Sequence, residues 1–244
     1  MGQVMAVGLQ AMDDLNVAFL IDPYQPNAVV PAIWAKQLSE LDASSIDCVV
    51  DFSVPESVVT SANWCGEHHV ALVVGTTGLS DEQMNAVKTC SLATGVVMAA
   101  NFSIGALLSE RFGALAAPYF DRVEIIELHH DRKIDAPSGT SLATARAIAS
   151  ARAEAGLDAL DDPTTRHTLD GARGATADGG IKIHSVRLPG LTAHQEILFG
   201  GPGEGLTIRH DSFERTSFVH GVALAVRNVS SAPGLTLGID SFLP

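Results

Sequence analysis

The chain has 244 residues, 46% of them hydrophobic and 18% charged, enough apolar material and length for one large domain or two small ones. A formal charge of −13 excludes a broad nucleic-acid surface, which needs basic residues, and obliges any anionic small substrate to find its positive charge locally. No window reaches the roughly 18 unbroken apolar residues of a membrane helix, and no basic segment with an apolar core marks a secretory signal, so a cytoplasmic protein with no membrane partner is expected.

The first ninety or so residues alternate between β-like and α-like patterns. Asn16–Ile21 is a short apolar run closed by Asp22-Pro23, and Ile46–Phe52 is a second. Pro55 then opens a helix to about Gly66, and Val70–Val74 is a third run, ending in Gly75-Thr76-Thr77-Gly78. Ser80 with Gln83 forms a capping-box pattern for a helix reaching about Cys90, and Val96–Ala100 is a fourth run, ending at Asn101. Short apolar strands separated by helices indicate βαβ units and a parallel sheet. Phe102–Phe120 carries apolar residues at helical spacing and leads into a second region. There Arg122–His129 reads as a strand, Ser141–Ala155 as an Ala-rich helix and Gly156–Gly180 as a polar loop. Ile181–Leu188, Ala193–Phe199 and Gly205–Asp211 read as strands without intervening helices, which suggests an open mixed or antiparallel sheet. Phe218–Val229 reads as a helix and Leu235–Phe242 as a final strand or tail. Cys48, Cys65 and Cys90 show no CxxC pairing, which favours buried free thiols over a metal or redox role.

The densest chemistry lies between Glu127 and Thr140. A strand delivers His129 and His130 into a turn with Arg132 and Lys133, and Ser138-Gly139-Thr140 opens a helix. Unpaired N–H groups at a helix start, with the dipole behind them, suit an anion, and Gly139 allows close approach to the backbone. Lys133 and a protonated imidazole can supply countercharge and protons, so the pattern fits a carboxylate site with a general acid beside it. The alternative is a solvated basic turn with an ordinary N-cap. Zinc is disfavoured, because adjacent histidines on a strand point to opposite faces; no metal is expected. Gly75-Thr76-Thr77-Gly78 ends a strand of a parallel sheet, where ligands bind in open α/β folds; a plain strand-to-helix turn is the competing reading.

The run HHDRKIDAPSGT resembles the HHxxKxDAPSGT signature of dihydrodipicolinate reductases. VVDFSVPESV, VVGTTG and NFSIG before or near it, and SVRLPG, HQEILFG, LTIRHDSFERTSF and GVALAVRN after it, extend the resemblance over nearly the whole chain from Asp14 onward. It implies a Rossmann-like parallel-sheet cofactor domain from residues 1–101 and 212–244, and an α+β substrate domain with an open mixed sheet from residues 102–211. It also implies reduction of 4-hydroxy-tetrahydrodipicolinate, a small dicarboxylate, with NADH or NADPH by a homotetramer. Carried over by position, His129 is the acid/base residue and Lys133 the proton donor. His130 and the Gly139-Thr140 backbone hold a substrate carboxylate, with Ser138 nearby. Gly75, Thr76 and Thr77 become nicotinamide-ribose contacts. Ala99, Ala100, Asn101 and Phe102 match the family's APNF stretch, with Ala100 in place of proline. Asp22, at the end of the strand after the expected glycine loop, suits the adenosine ribose hydroxyls and leans towards NADH, against the plainer role of a turn residue before proline.

One departure stands out. The family starts with a strand and a GxxGRMG phosphate loop, whereas Met1-Gly2-Gln3 resembles only that loop's end. A missing first strand and loop would weaken cofactor binding and leave neighbouring strands with unpaired edges. Two explanations stand open: a start lying upstream, or a short chain with an impaired reductase. The reductase, another two-domain nicotinamide-dependent imine or amino-acid oxidoreductase, and a non-catalytic dicarboxylate-binding homologue are the three functional readings.

Overall fold

A computed structural model describes residues 1–27 and 30–243; Ala28, Val29 and Pro244 lie outside the described residues. The chain forms two compact units, Met1–Ser103 with Arg215–Pro244, and Ile104–Glu214. In chain order the first unit contains α1 (Gly2–Gln10), β1 (Phe19–Ile21), β2 (Ile33–Ala35), β3 (Cys48–Asp51), α2 (Pro55–His68), β4 (Ala71–Val74), α3 (Asp81–Cys90) and β5 (Gly95–Met98). The second contains α4 (Ile104–Ala116), β6 (Arg122–His129), α5 (Gly139–Glu154), β7 (Ala175–Thr176), β8 (Lys182–Arg187), β9 (Ala193–Gly201) and β10 (Glu204–Ser212). α6 (Val219–Val229) and β11 (Gly234–Leu237) return to the first unit.

The first unit is built on a parallel sheet in the order β11-β5-β4-β3. All four residues of β4 are buried, as an uninterrupted apolar strand must be when helices cover both faces of a parallel sheet. Leu72 and Val74 join Val58, Ala62 and Cys65 of α2 and Val87 and Cys90 of α3 in one core. The alternate residue Val73 serves the other face, and α6 packs against β4 and β5. Ser80 and Gln83 close the capping box expected at the start of α3. All three cysteines are free; burial pushes the Cys48 thiol up to about 12 and the Cys90 thiol up to about 11, so neither is a ready nucleophile.

The parallel strands fall into two sheets rather than one. β1 pairs with β2, while β3 pairs with β4, and among the described residues each has one unpaired edge. Two elements of the first unit are unanticipated by the sequence patterns. α1 carries Gly2 and Gly8, both poor helix formers, and owes its place to burial of Met5, Ala6 and Leu9 and to packing on α6. β2 is only three residues long, too short for a period to register, and exists through its pairing with β1.

In the second unit the order is β10-β9-β6-β8-β7, with β6 and β8 parallel and the other pairs antiparallel. Val123 and Ile125 of β6 pack with Ala145 and Ile148 of α5 and with Ile183, Ile197 and Phe199. Arg152, buried in α5, donates to the carbonyls of Ala117 (3.1 Å) and Phe120 (2.7 Å), tying the helix to the chain that enters β6. The stretch 156–180, expected as a loop, contains β7, which only its pairing with Lys182 and Ile183 makes a strand. Arg173 bridges Glu124 of β6 and Asp162, and Lys182 also pairs with Asp162.

Gly221 of α6 lies against the Phe102 carbonyl, with no room for a Cβ. Gly221→Ala is therefore expected to destabilise the protein by about 1–3 kcal/mol through overpacking against rigid backbone. Chemical denaturation would measure this; a loss below about 0.5 kcal/mol would show that α6 can shift away.

Candidate active site

Alternation along β6 sets the geometry of the second unit's polar end. Val123, Ile125, Glu127 and His129 share one face of the strand, so the face that begins as core ends in a carboxylate and an imidazole. Glu127 is 0% exposed. Its Oε2 accepts from His129 Nδ1 and from Arg187 Nη1 (2.8 Å), and its Oε1 accepts from Arg187 Nη2 (2.7 Å). Burial alone pushes this carboxyl up, but the hydrogen bonds from His129 and Arg187 outweigh it and hold the group down at about 2. An ionised carboxylate only accepts, so His129 carries its proton on Nδ1, and Nε2 is the ring atom left for a ligand. The imidazole keeps 15% of its side chain exposed, enough to be reached.

Arg187 extends the chain of contacts. Nη2 also donates to the Asp135 carbonyl (2.7 Å), and Asp135 holds Lys133 Nζ with both carboxylate oxygens at 2.7 Å. The hydrogen bond from Lys133 keeps the Asp135 carboxyl below its usual range. His129, Glu127, Arg187, Asp135 and Lys133 thus form one continuous series. His130, next in sequence and just past the end of β6, has its Nδ1 buried and unpartnered among the described residues. At the start of α5, buried Ser138 accepts from Ser141 N–H (3.2 Å), and the two hydroxyls lie 2.7 Å apart. The Ser138 hydroxyl is therefore spent on capping. Gly139, one residue on, is exposed with open space where a Cβ would stand, and Thr140 follows in the first helical turn. His194 differs from His129: Nδ1 meets Asp211 and Nε2 meets Thr192 N–H, so both of its nitrogens are occupied.

The first unit gathers its marked residues at the ends of parallel strands. Gly75, Thr76 and Thr77 follow β4, and Ala99 to Phe102 follow β5. Asp51, at the end of β3 and 6% exposed, organises this edge. Its Oδ1 accepts from Ser53 N–H (3.0 Å), Ser53 Oγ (2.6 Å) and Thr76 Oγ1 (3.0 Å), and its Oδ2 accepts from Ser61 Oγ (2.7 Å). A side chain at Gly75 would strike the Phe52 ring, which packs on Phe102 with centroids 5.6 Å apart. Thr77 and Ala100 remain exposed, and Asn101 Oδ1 accepts from Ser103 N–H (2.9 Å). Asp22 stands apart from these residues on the β1–β2 sheet, exposed, with its Oδ1 accepting from Tyr24 N–H (2.9 Å). Asp51 and Arg187 were missed as organising residues. Each sits in a motif marked by the resemblance, VVDFSVPESV and SVRLPG, but an ordinary strand end hides its role.

Because the Glu127 carboxyl is held at about 2, below its ordinary 4.5, its bonds stabilise the fold fully above pH 4.5. That contribution, on the order of 3 kcal/mol, is lost as the pH falls from 4.5 towards 2. Equilibrium unfolding across this range should show a steep loss of stability that Glu127→Gln flattens. An unchanged slope in the variant would place the acid sensitivity elsewhere.

Two family descriptions match the chain: "Dihydrodipicolinate reductase, N-terminus" over residues 1–102 and "Dihydrodipicolinate reductase, C-terminus" over residues 105–243. The 4-hydroxy-tetrahydrodipicolinate reductase of Corynebacterium diphtheriae is 44% identical over 245 residues, covering 99% of this chain and 94% of that protein. The protein of the same name from Nocardia farcinica is 46% identical with the same coverage. Among solved structures, the dipicolinate-bound dihydrodipicolinate reductase from Paenisporosarcina sp. TG-14 superposes with a TM-score of 0.85 at 38% identity, over 99% of this chain and 95% of that one.

Proposed function

The chain belongs to the dihydrodipicolinate reductase family, and on that premise we propose that it reduces 4-hydroxy-tetrahydrodipicolinate to tetrahydrodipicolinate with NADH or NADPH, in the diaminopimelate route to lysine. The observation that carries the chemistry is the series His129–Glu127–Arg187–Asp135–Lys133 beside the start of α5.

The strand ends of the first unit fit a nicotinamide cofactor. They set polar groups at the C-terminal edge of a buried parallel sheet, where such ligands bind, with Thr76 steadied by Asp51 and Thr77 open. Gly75, Thr76, Thr77 and Ala99 to Phe102 would hold the nicotinamide-ribose end, and Asp22 the adenosine ribose. When bound, that group supplies the hydride.

The remaining work belongs to this chain's side chains. Loss of the substrate's 4-hydroxyl with one ring hydrogen, as water, leaves a conjugated imine; hydride addition to it leaves negative charge that one proton from a positioned acid must quench, an effect typically of about 10²–10⁴ in rate. His129, its Nδ1 proton held by Glu127, takes up and passes on a second proton at Nε2, the atom that this bond leaves available. Lys133 donates from Nζ, and a substrate carboxylate competes with Asp135 for its ammonium. The backbone at Gly139 and Thr140, together with His130, orients one carboxylate of the substrate, and Ser138 supports that mouth as its cap. Two carboxylates thus meet local positive charge in an otherwise acidic protein. No helix among the described residues is long and apolar enough to cross a membrane. By family likeness the proposal extends to a homotetramer in the cytoplasm, which light scattering and cell fractionation would check.

The test is oxidation of NADH or NADPH in the presence of freshly generated substrate. Lys133→Ala should lower kcat by roughly 10²–10³-fold while leaving cofactor affinity within about twofold. Equal losses in both would move Lys133 into the cofactor pocket, and no turnover by the unmodified protein would overturn the proposal.

A further inference from the structure

A core carboxylate is an expensive component. A buried ion pair seldom stabilises a fold more than apolar side chains of the same size would, and a half-made one is worse. Glu127 has no solvent contact, yet its two oxygens receive two donors from the Arg187 fork and one from the imidazole of His129, with the Ser185 hydroxyl on the facing strand a further donor. Strand alternation puts Glu127 and His129 on the same face two residues apart, and the parallel register of β6 with β8 sets Arg187 opposite His129. Arg187 also reaches the Asp135 carbonyl, the residue that holds Lys133.

We infer that Glu127 is a positioning residue for proton transfer, fixing the His129 ring with its proton on Nδ1 and Nε2 presented for exchange, while Arg187 cancels the carboxylate's charge and links the ring to the Lys133 turn. The inference rests on the reading of His129 as the acid/base residue. The cancelled charge matters for a doubly negative substrate. A bare carboxylate behind the imidazole would repel such a ligand, whereas a carboxylate–guanidinium pair orients the ring without adding net negative charge. Arg187 thereby lets the ring have an anionic partner in a site built for anions.

The experiment compares Glu127→Gln, His129→Gln and the double variant in the intact protein. Glu127→Gln keeps the size of the side chain and removes its charge. Turnover should fall roughly 10–100-fold with substrate KM within about threefold, the scale expected when the partner orienting a working histidine is lost. Spectra of ¹⁵N-labelled histidine should show the Nδ1-bound proton of His129 in the unmodified protein and a mixture of tautomers in the variant. Since Glu127 acts through His129, the double variant should be no slower than His129→Gln alone. Multiplying losses in the double variant, or an unchanged tautomer with reduced turnover, would mark Glu127 as structural only and overturn the inference. A His129→Gln protein with full turnover would instead overturn the reading of His129 itself. Should Glu127→Gln fold poorly with Arg187 unpaired, Glu127→Leu combined with Arg187→Leu restores an apolar pair. That protein should fold and lose turnover to the same degree, and normal turnover in it would equally overturn the inference.

Discussion

A carboxylate beyond the reach of water stays ionised only where fixed donors replace its hydration, and the polar end of the second unit is arranged around that requirement at Glu127. Arg187 supplies two parallel donors, His129 a third and the Ser185 hydroxyl a fourth, so the oxygens are saturated by protein groups. The same guanidinium binds its own strand at the Val186 carbonyl and the incoming turn at the Asp135 carbonyl. One ion pair therefore unites the ends of β6 and β8 with the turn that carries Lys133. Its net stabilising value against an apolar alternative is small. What it contributes is a defined direction for an imidazole and a defined location for an ammonium.

The first unit solves a related problem with neutral donors. Asp51 ends β3 with three hydroxyl groups and a backbone N–H converging on it, and Thr76 in turn accepts from Ser53 N–H (2.9 Å). Strands of four residues are too short to define their own ends, so a shared carboxylate aligns the segments that follow β3 and β4. Phe52, packed over Gly75 and against Phe102, brings the segment after β5 into the same arrangement. α6 then presses Gly221 against the Phe102 carbonyl, so a segment more than a hundred residues later in the chain helps set the backbone of the Asn101-Phe102 step.

Not every charged cluster carries chemistry. Glu124, on the opposite face of β6 from Glu127, pairs with Arg173 and His184, while Asp162 pairs with Arg173 and Lys182. These groups are partly solvated, and each exposed pair contributes about 0–1 kcal/mol. Together they hold the Gly-rich stretch before β8 onto the sheet, which explains how a segment without apolar periodicity keeps a fixed path.

Local rules made much of this molecule legible in the sequence: the period of two along Arg122–His129, the capping pattern at Ser80 and Gln83, the Ser138 cap before an Ala-rich helix, and apolar strands alternating with helices. Each acts within a few residues, so composition and spacing determined the strand that bears His129 and the helix mouth beside it. The extended motif around these residues also marked the family. Tertiary structure alone decided which partners complete the site. Glu127 and Arg187 lie 60 residues apart, and Asp51 and Thr76 lie 25 apart. Which nitrogen of His129 holds the proton, the pairing of Lys133 with Asp135, and the division of parallel strands into two sheets likewise follow from pairing in space. Contact between distant segments depends on strand register and side-chain reach, and neither leaves a periodic trace in the order of the residues.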